Sequence, residues 1–328
     1  MQCYNPRLAF RTFDGTKIKF TRLSWSTYII HPQNQKPKLK KQFNTLFNHH
    51  KNVDVTKPLK IPCSKCDACR LNRAGETARR TYDEYKTQNF TGMFITLTYS
   101  PENLPSCGHY NERDIVLFVK KLRKISPKIR TLGVAEYGER TNRPHFHLLV
   151  LGYEFQDKKL LRKTDSTHTG QSYDIFTTKT LTKLWDKGIS EFGSVTEQSC
   201  SYVARYLFKK NKKESEGLPC EKCQNQKPKK SKIVCRSRRP GLGAIFCDQY
   251  ITLDRARAAI GLSFRSSNET LPRYYIDRVR RKLADDDKCL LTSAPDFTKN
   301  REKETKERLN AQKIIDSQNL TKLYKNKI

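Results

Sequence analysis

Two histidines one residue apart, His145 and His147, and two tyrosines four positions apart, Tyr202 and Tyr206, are the side chains of this 328-residue chain best spaced to do chemistry together. Residues i and i+2 of a strand share a face, so both imidazoles point one way and Phe146 the other. Leu148, Leu149 and Val150 continue the run in strand-like fashion. Two imidazoles need an acidic third ligand to hold a hard divalent cation such as Mg²⁺ or Mn²⁺. The segment just upstream offers Glu136 and Glu139. Any plain hairpin that sets Glu136 opposite His145 or His147 puts it on their face and Glu139 on the other, so Glu136 is the expected third ligand; a bulge would reverse the choice. A site of this kind leaves coordination positions open, which suits catalysis. The plainer reading is a pair of satisfied polar histidines on a sheet.

On a helix, residues four apart stack on one face, about 5–6 Å apart at Cβ. Arg205 follows Tyr202 by three positions and Lys209 follows Tyr206 by three, so each phenol has a cation one turn away. An aromatic pair facing the core would look the same from spacing alone. A phenol of pKa about 10 is a weak nucleophile at neutral pH. Beside a cation-bound phosphodiester it becomes a useful one, because the cation offsets phosphate charge and stabilises the trigonal bipyramid. The product would be a phosphotyrosine ester that keeps the energy of the broken bond, so rejoining needs no nucleotide. In keeping with that, no G-x-x-x-x-G-K-[ST] run occurs and there is no sign of a P-loop motor.

Composition sets the partner. Lys+Arg number 65 against 33 Asp+Glu, a net charge of +32, and hydrophobic residues are 36% of the chain. So large a charge calls for a polyanion, and nucleic acid is the first choice. No run approaches the roughly 18 apolar residues of a membrane span, and residues 1–21 lack a signal-peptide core. A membrane partner is not expected; the host cytoplasm is the expected location. There are 11 cysteines. In a reducing compartment a full disulfide framework is disfavoured. Cys63, Cys66 and Cys69, with the distant pair Cys220 and Cys223, are candidate ligands of a structural Zn²⁺, since two Cys-x-x-Cys turns can close one tetrahedral site. The alternative is free thiols.

The elements that must position these groups can be read from periodicity. Residues 93–99 alternate as a strand, and Asn111 is placed to cap a helix over 112–125. Strands follow over 129–137 and 145–152, a polar loop over 153–176, a short helix over 177–185, a strand over 189–195 and a helix over 197–210. The order predicts an α+β fold: a split β-α-β antiparallel sheet, ferredoxin-like, with helices on one face. The expected organisation is a basic, irregular N-terminal extension (1–62), a Cys-rich segment and helix (63–90), a catalytic core (91–212), a basic DNA-contacting region (213–298) and a charged tail (299–328). Within residues 209–239, Pro219 and Pro228 and a dense basic run suggest a solvated linker or DNA-contacting loop. The tail suggests a marginal helix or a disordered segment.

Thr96-Leu97-Thr98, Arg143-Pro144-His145-Phe146-His147 and Tyr202-Val203-Ala204-Arg205-Tyr206-Leu207-Phe208-Lys209 resemble the three motifs of the HUH (His-hydrophobic-His) endonucleases that start rolling-circle replication. The two-tyrosine helix is similar to that of the microvirus initiators. Cys63-x-x-Cys66-x-x-Cys69-Arg70, Glu136-Tyr137-Gly138-Glu139, Ser237 to Gly243 and Pro272-Arg273-Tyr274-Tyr275 resemble the gokushovirus branch. The resemblance covers about residues 60–280 and implies the HUH fold for the core. It further implies Mg²⁺ or Mn²⁺ on His145, His147 and Glu136, with Tyr202 and Tyr206 as paired nucleophiles and Lys209 as their helper. Arg205, Lys210, Arg238 and Arg239 would contact origin DNA, single-stranded or supercoiled circular. Such an initiator nicks one strand of a circular phage genome, stays on the 5′ phosphate, leaves a 3′-OH for a host polymerase, relies on a host helicase and later rejoins the displaced strand. The alternatives are a non-enzymatic zinc-containing DNA-binding protein, or a plasmid initiator or transposase with the same chemistry.

Overall fold

The computed structural model describes residues 3–13, 18–24, 53–138, 143–165, 172–208, 232–256, 271–282 and 310–318. Lys209, Lys210, Cys220 and Cys223 lie outside these. The chain divides into two compact units, one drawn from residues 1–72 and 292–325, the other from 73–291 and 326–328.

The first unit contains β1 (Arg7–Thr12), β2 (Ile18–Ser24) and β3 (Val53–Ile61), paired antiparallel in the order β2-β1-β3. Leu8, Ala9, Phe10 and Leu59 are buried there. The irregular lead-in expected for 1–62 is therefore a small sheet over much of its described length. Basic side chains and Pro58 hid the alternation, because exposed positions of an edge strand carry no apolar signal. Residues 310–318 form a helix, and the Tyr4 hydroxyl donates to Asp316 Oδ2 at 2.7 Å within this unit.

The unit boundary falls inside helix α1 (Asp67–Thr87). Beyond it come β4 (Gly92–Tyr99), α2 (Glu112–Ile125), β5 (Arg130–Tyr137), β6 (Pro144–Leu151), β7 (Lys159–Asp165), β8 (Ser172–Thr177), α3 (Lys179–Leu184), β9 (Gly188–Ser194) and α4 (Glu197–Phe208). The unit closes with β10 (Lys232–Arg236), α5 (Ala244–Tyr250) and α6 (Arg273–Lys282). Seven strands form one sheet in the order β10-β5-β6-β4-β9-β8-β7, every pairing antiparallel. The fold is α+β with a central antiparallel sheet, as periodicity implied. Asn111 caps α2 as expected, its side chain accepting from the Arg113 amide.

Three expectations are corrected. Helices cover both faces of the sheet rather than one. Met93, Ile95 and Leu97 of β4 join Phe146, Leu148 and Val150 of β6 under α2, whose Ile115, Phe118, Val119 and Leu122 are buried with them. The opposite face buries Leu132, Val134, Leu149 and Leu151 with Ala74 and Ala78 of α1 and Val203 and Ala204 of α4. A sheet apolar on both faces must be covered on both. Residues 159–177 form the β7–β8 hairpin where a polar loop was expected; its side chains are mostly exposed, so it lacks the half-buried alternation that marks a strand. Residues 232–236, within the expected linker, form β10 and pair with β5.

Candidate functional site

The site lies where β5, β6 and β4 run side by side. Their register sets Glu136 opposite His145 and His145 opposite Thr98, and sets His147 opposite Thr96. Cross-strand partners share a face, so Glu136, both histidines and both threonines project to the side covered by α1 and α4. No bulge interrupts the β5–β6 ladder, and Glu136 is the hairpin glutamate on the histidine face.

Each imidazole is held from behind. Thr98 Oγ1 lies 2.9 Å from His145 Nδ1, and Thr96 Oγ1 lies 3.2 Å from His147 Nδ1. Those bonds turn both Nε2 atoms forward. His147 Nε2 sits 2.8 Å from Glu136 Oε1. Phe94, two residues before Thr96 on the same face, stacks on His147 with ring centroids 5.6 Å apart. Burial holds the His145 imidazole below its ordinary value, helped by the nearby His147, so the ring is neutral at neutral pH, the form that ligates a cation.

Helix α4 brings the phenols. Its start is fixed reciprocally: Thr196 Oγ1 accepts from the Ser199 amide at 3.1 Å, and Ser199 Oγ accepts from the Thr196 amide at 2.9 Å. Cys200, Val203 and Ala204 are buried in the core cluster. Tyr202 and Tyr206, one turn apart, have ring centroids 4.7 Å from each other, and 5.3 Å and 6.5 Å from His147. The Tyr202 hydroxyl donates to Glu136 Oε1 at 3.3 Å, and the Tyr206 hydroxyl also bonds that carboxylate. Burial alone would raise the Glu136 carboxyl; its bond to and charge interaction with His147, and the two tyrosine hydroxyls, outweigh burial and hold it below the usual carboxylate range. The Tyr202 phenol is pushed far above its ordinary value by burial first, then by the Glu136 charge and by Tyr206.

Glu136 is 7% exposed, and its second oxygen, Oε2, is buried without a hydrogen-bond partner among the described residues. An orphaned carboxylate oxygen beside two forward-facing imidazole nitrogens is a donor set that fits a divalent cation. The site residues expected from sequence are thus brought together as Glu136, His145, His147, Tyr202 and Tyr206. Arg205 is half-buried on α4, while Arg238 and Arg239 lie on an exposed turn after β10. Phe94 was missed, although same-face parity with Thr96 and Thr98 points to it. Cys63, Cys66 and Cys69 gather in the first unit, and the thiol that joins them there is Cys3. No sequence spacing announces Cys3.

A family model described as replication-associated protein ORF2 matches residues 92–211, a stretch that holds Phe94, both threonines, Glu136, both histidines and both tyrosines. The replication-associated protein ORF2 of Spiroplasma virus 4 is 34% identical over 193 residues, 52% of this chain and 58% of its own. The replication-associated protein VP4 of Bdellovibrio phage phiMH2K is 34% identical over 230 residues, 66% of each chain. The chain belongs to the microvirus replication-associated proteins. A further relative among these microvirus proteins, the replication-associated protein ORF4 of Chlamydia phage 1, is 27% identical over 234 residues, 69% of this chain and 55% of its own. Matches to these relatives span between 55% and 66% of their lengths. They are of the gokushovirus type that the motifs resemble. No solved structure matches the chain significantly.

Proposed function

We propose that this microvirus replication-associated protein is a rolling-circle initiator with the HUH fold, which nicks one strand of a circular phage genome at its origin and later rejoins it. The observation that carries this reading is the convergence of two phenols and an imidazole on one carboxylate: Tyr202 at 3.3 Å and His147 at 2.8 Å from Glu136 Oε1, with Tyr206 bonded to the same group.

His145, His147 and Glu136 would hold Mg²⁺ or Mn²⁺. Bound there, the cation supplies charge neutralisation at the scissile phosphate and favours phenolate. Glu136 orients the Tyr202 phenol and keeps its proton at the carboxylate until DNA arrives. The tyrosine oxygen then bonds to phosphorus, the bond to the 3′ oxygen breaks, the phenol's proton is given up and the departing 3′ oxygen gains one. The 5′ phosphate stays on the enzyme as a tyrosyl ester while the 3′-OH is free for a host polymerase. The second tyrosine repeats the exchange on the displaced strand, and attack by its 3′-OH on the first ester closes the circle. Lys209, one turn past Tyr206, is the expected cation for charge developing on the phenol. The scheme calls on a host helicase. Phage relatives favour this setting over a plasmid initiator or a transposase.

Incubation with a labelled single-stranded origin oligonucleotide and Mn²⁺, followed by a denaturing gel, tests the reading. A protein–DNA adduct is expected, absent with EDTA and absent in Tyr202→Phe/Tyr206→Phe, which should still bind DNA. An adduct that persists in the double variant would overturn the assignment of the nucleophiles.

A further inference from the structure

Cys3, Cys63, Cys66 and Cys69 are gathered in the first unit with their sulfurs all within 4.8 Å of one another. Cys66 Sγ lies 3.7 Å from Cys3 Sγ, and Cys63 Sγ lies 4.0 Å from Cys69 Sγ. Four sulfurs held about 2.3 Å from a zinc ion at tetrahedral angles stand about 3.8 Å apart. The separations therefore match the edges of such a tetrahedron and are well beyond the roughly 2.05 Å of a disulfide.

Local structure builds this geometry rather than merely permitting it. Ser64 adopts φ 62°, turning the chain tightly between the first two cysteines. The Cys66 amide donates to Cys63 Sγ at 3.3 Å, and the Cys63 amide donates to Cys3 Sγ at 3.2 Å. Amide donors aimed at sulfur favour thiolate, the form that ligates metal. Cys69 comes from the first turn of α1, and Cys3 from the segment just ahead of β1; both are buried.

We infer that Cys3, Cys63, Cys66 and Cys69 form a closed zinc site that fastens the segment ahead of β1 to the start of α1. Four thiolates leave no coordination position open, so the site is structural and separate from the cation chemistry proposed at the histidines. It bridges residues 60 positions apart, Cys3 and Cys63, around a three-stranded sheet with few buried apolar side chains. A small core of that kind gains much from a metal cross-link. Cys220 and Cys223 take no part in it.

The test is the metal content of the full chain after dialysis against EDTA, which empties a weak two-histidine site but not a tetrathiolate. One zinc per chain is expected, and refolding with Co²⁺ should give the visible absorption of tetrahedral tetrathiolate cobalt. Cys220→Ser/Cys223→Ser should keep that zinc; Cys3→Ser should lower zinc retention at least about tenfold. Should Cys3→Ser fail to fold, alkylation of the wild-type chain decides: the four thiols should resist iodoacetamide natively and react once denatured with chelator. A wild-type chain without zinc, zinc retention that follows Cys220 and Cys223 instead of Cys3, or a disulfide within the four would overturn the inference. None of these readouts depends on nicking.

Discussion

Thr98 and Thr96 decide which nitrogen each histidine offers. With Nδ1 of His145 bonded to Thr98 at 2.9 Å and Nδ1 of His147 to Thr96 at 3.2 Å, the two Nε2 atoms face the Glu136 side. Outer partners of this kind commonly account for a 10- to 100-fold change in metal affinity. Thr98→Val keeps the shape of the side chain and removes its hydroxyl. The Mn²⁺ concentration giving half-maximal adduct should rise by about 10- to 100-fold in that variant, with the unfolding midpoint in chelator changed little. An unchanged Mn²⁺ requirement would show that the hydroxyl does not position the ring. At this scale much of the candidate site was legible in the sequence, because strand parity and helical spacing are geometric facts about His145/His147 and Tyr202/Tyr206. Phe94 obeys the same parity but looks like any core aromatic. Cys3 was illegible, since only the folded sheet brings it across the intervening chain to Cys63.

Among the elements, α1 organises the C-terminal part of the second unit as well as one face of the sheet. Glu84, fully buried on α1, accepts from Arg130 Nε of β5 at 2.7 Å and from the Gly243 amide ahead of α5 at 2.6 Å. Arg80 donates to the Leu242 carbonyl at 3.0 Å and lies over the Tyr274 ring at 3.7 Å, while the Tyr275 hydroxyl donates to Asp83 at 2.9 Å. Gly243 has φ 77°, and a Cβ there would collide with the Tyr275 hydroxyl. The Leu242-Gly243 and Tyr274-Tyr275 stretches thus serve as anchors onto α1, whereas Arg238 and Arg239 remain exposed. Glu84→Ala would strand Arg130, whose side chain is 13% exposed, without its carboxylate. A loss of about 3–5 kcal/mol is expected, read as a lower urea midpoint; a loss below about 1 kcal/mol would mean that Arg130 finds another partner. The strands that could be read from sequence, β4, β5, β6 and β9, are those whose burial makes side chains alternate. Strands β7, β8 and β10 are edge or near-edge strands, and their polar sequences satisfy solvent on both faces.

For the molecule as a whole, a net charge of +32 makes DNA association a matter of counter-ion release. Affinity for any single strand should fall steeply with added salt, log K declining by about 0.7 per phosphate neutralised for each tenfold rise. The Tyr202→Phe/Tyr206→Phe variant should share the wild-type slope, since phenols carry none of that charge; fluorescence anisotropy against ionic strength would show it, and a shallower slope in the variant would refute it. Among the described residues no helix is long and apolar enough to cross a membrane. The bond between Tyr4 and Asp316 joins residues 312 positions apart, and both are buried. During vectorial synthesis the N-terminal segment therefore leaves the ribosome long before its carboxylate partner exists. Chaperone-shielded waiting, rather than immediate closure, is what a nascent first unit must undergo while the sheet of the second unit is already able to assemble.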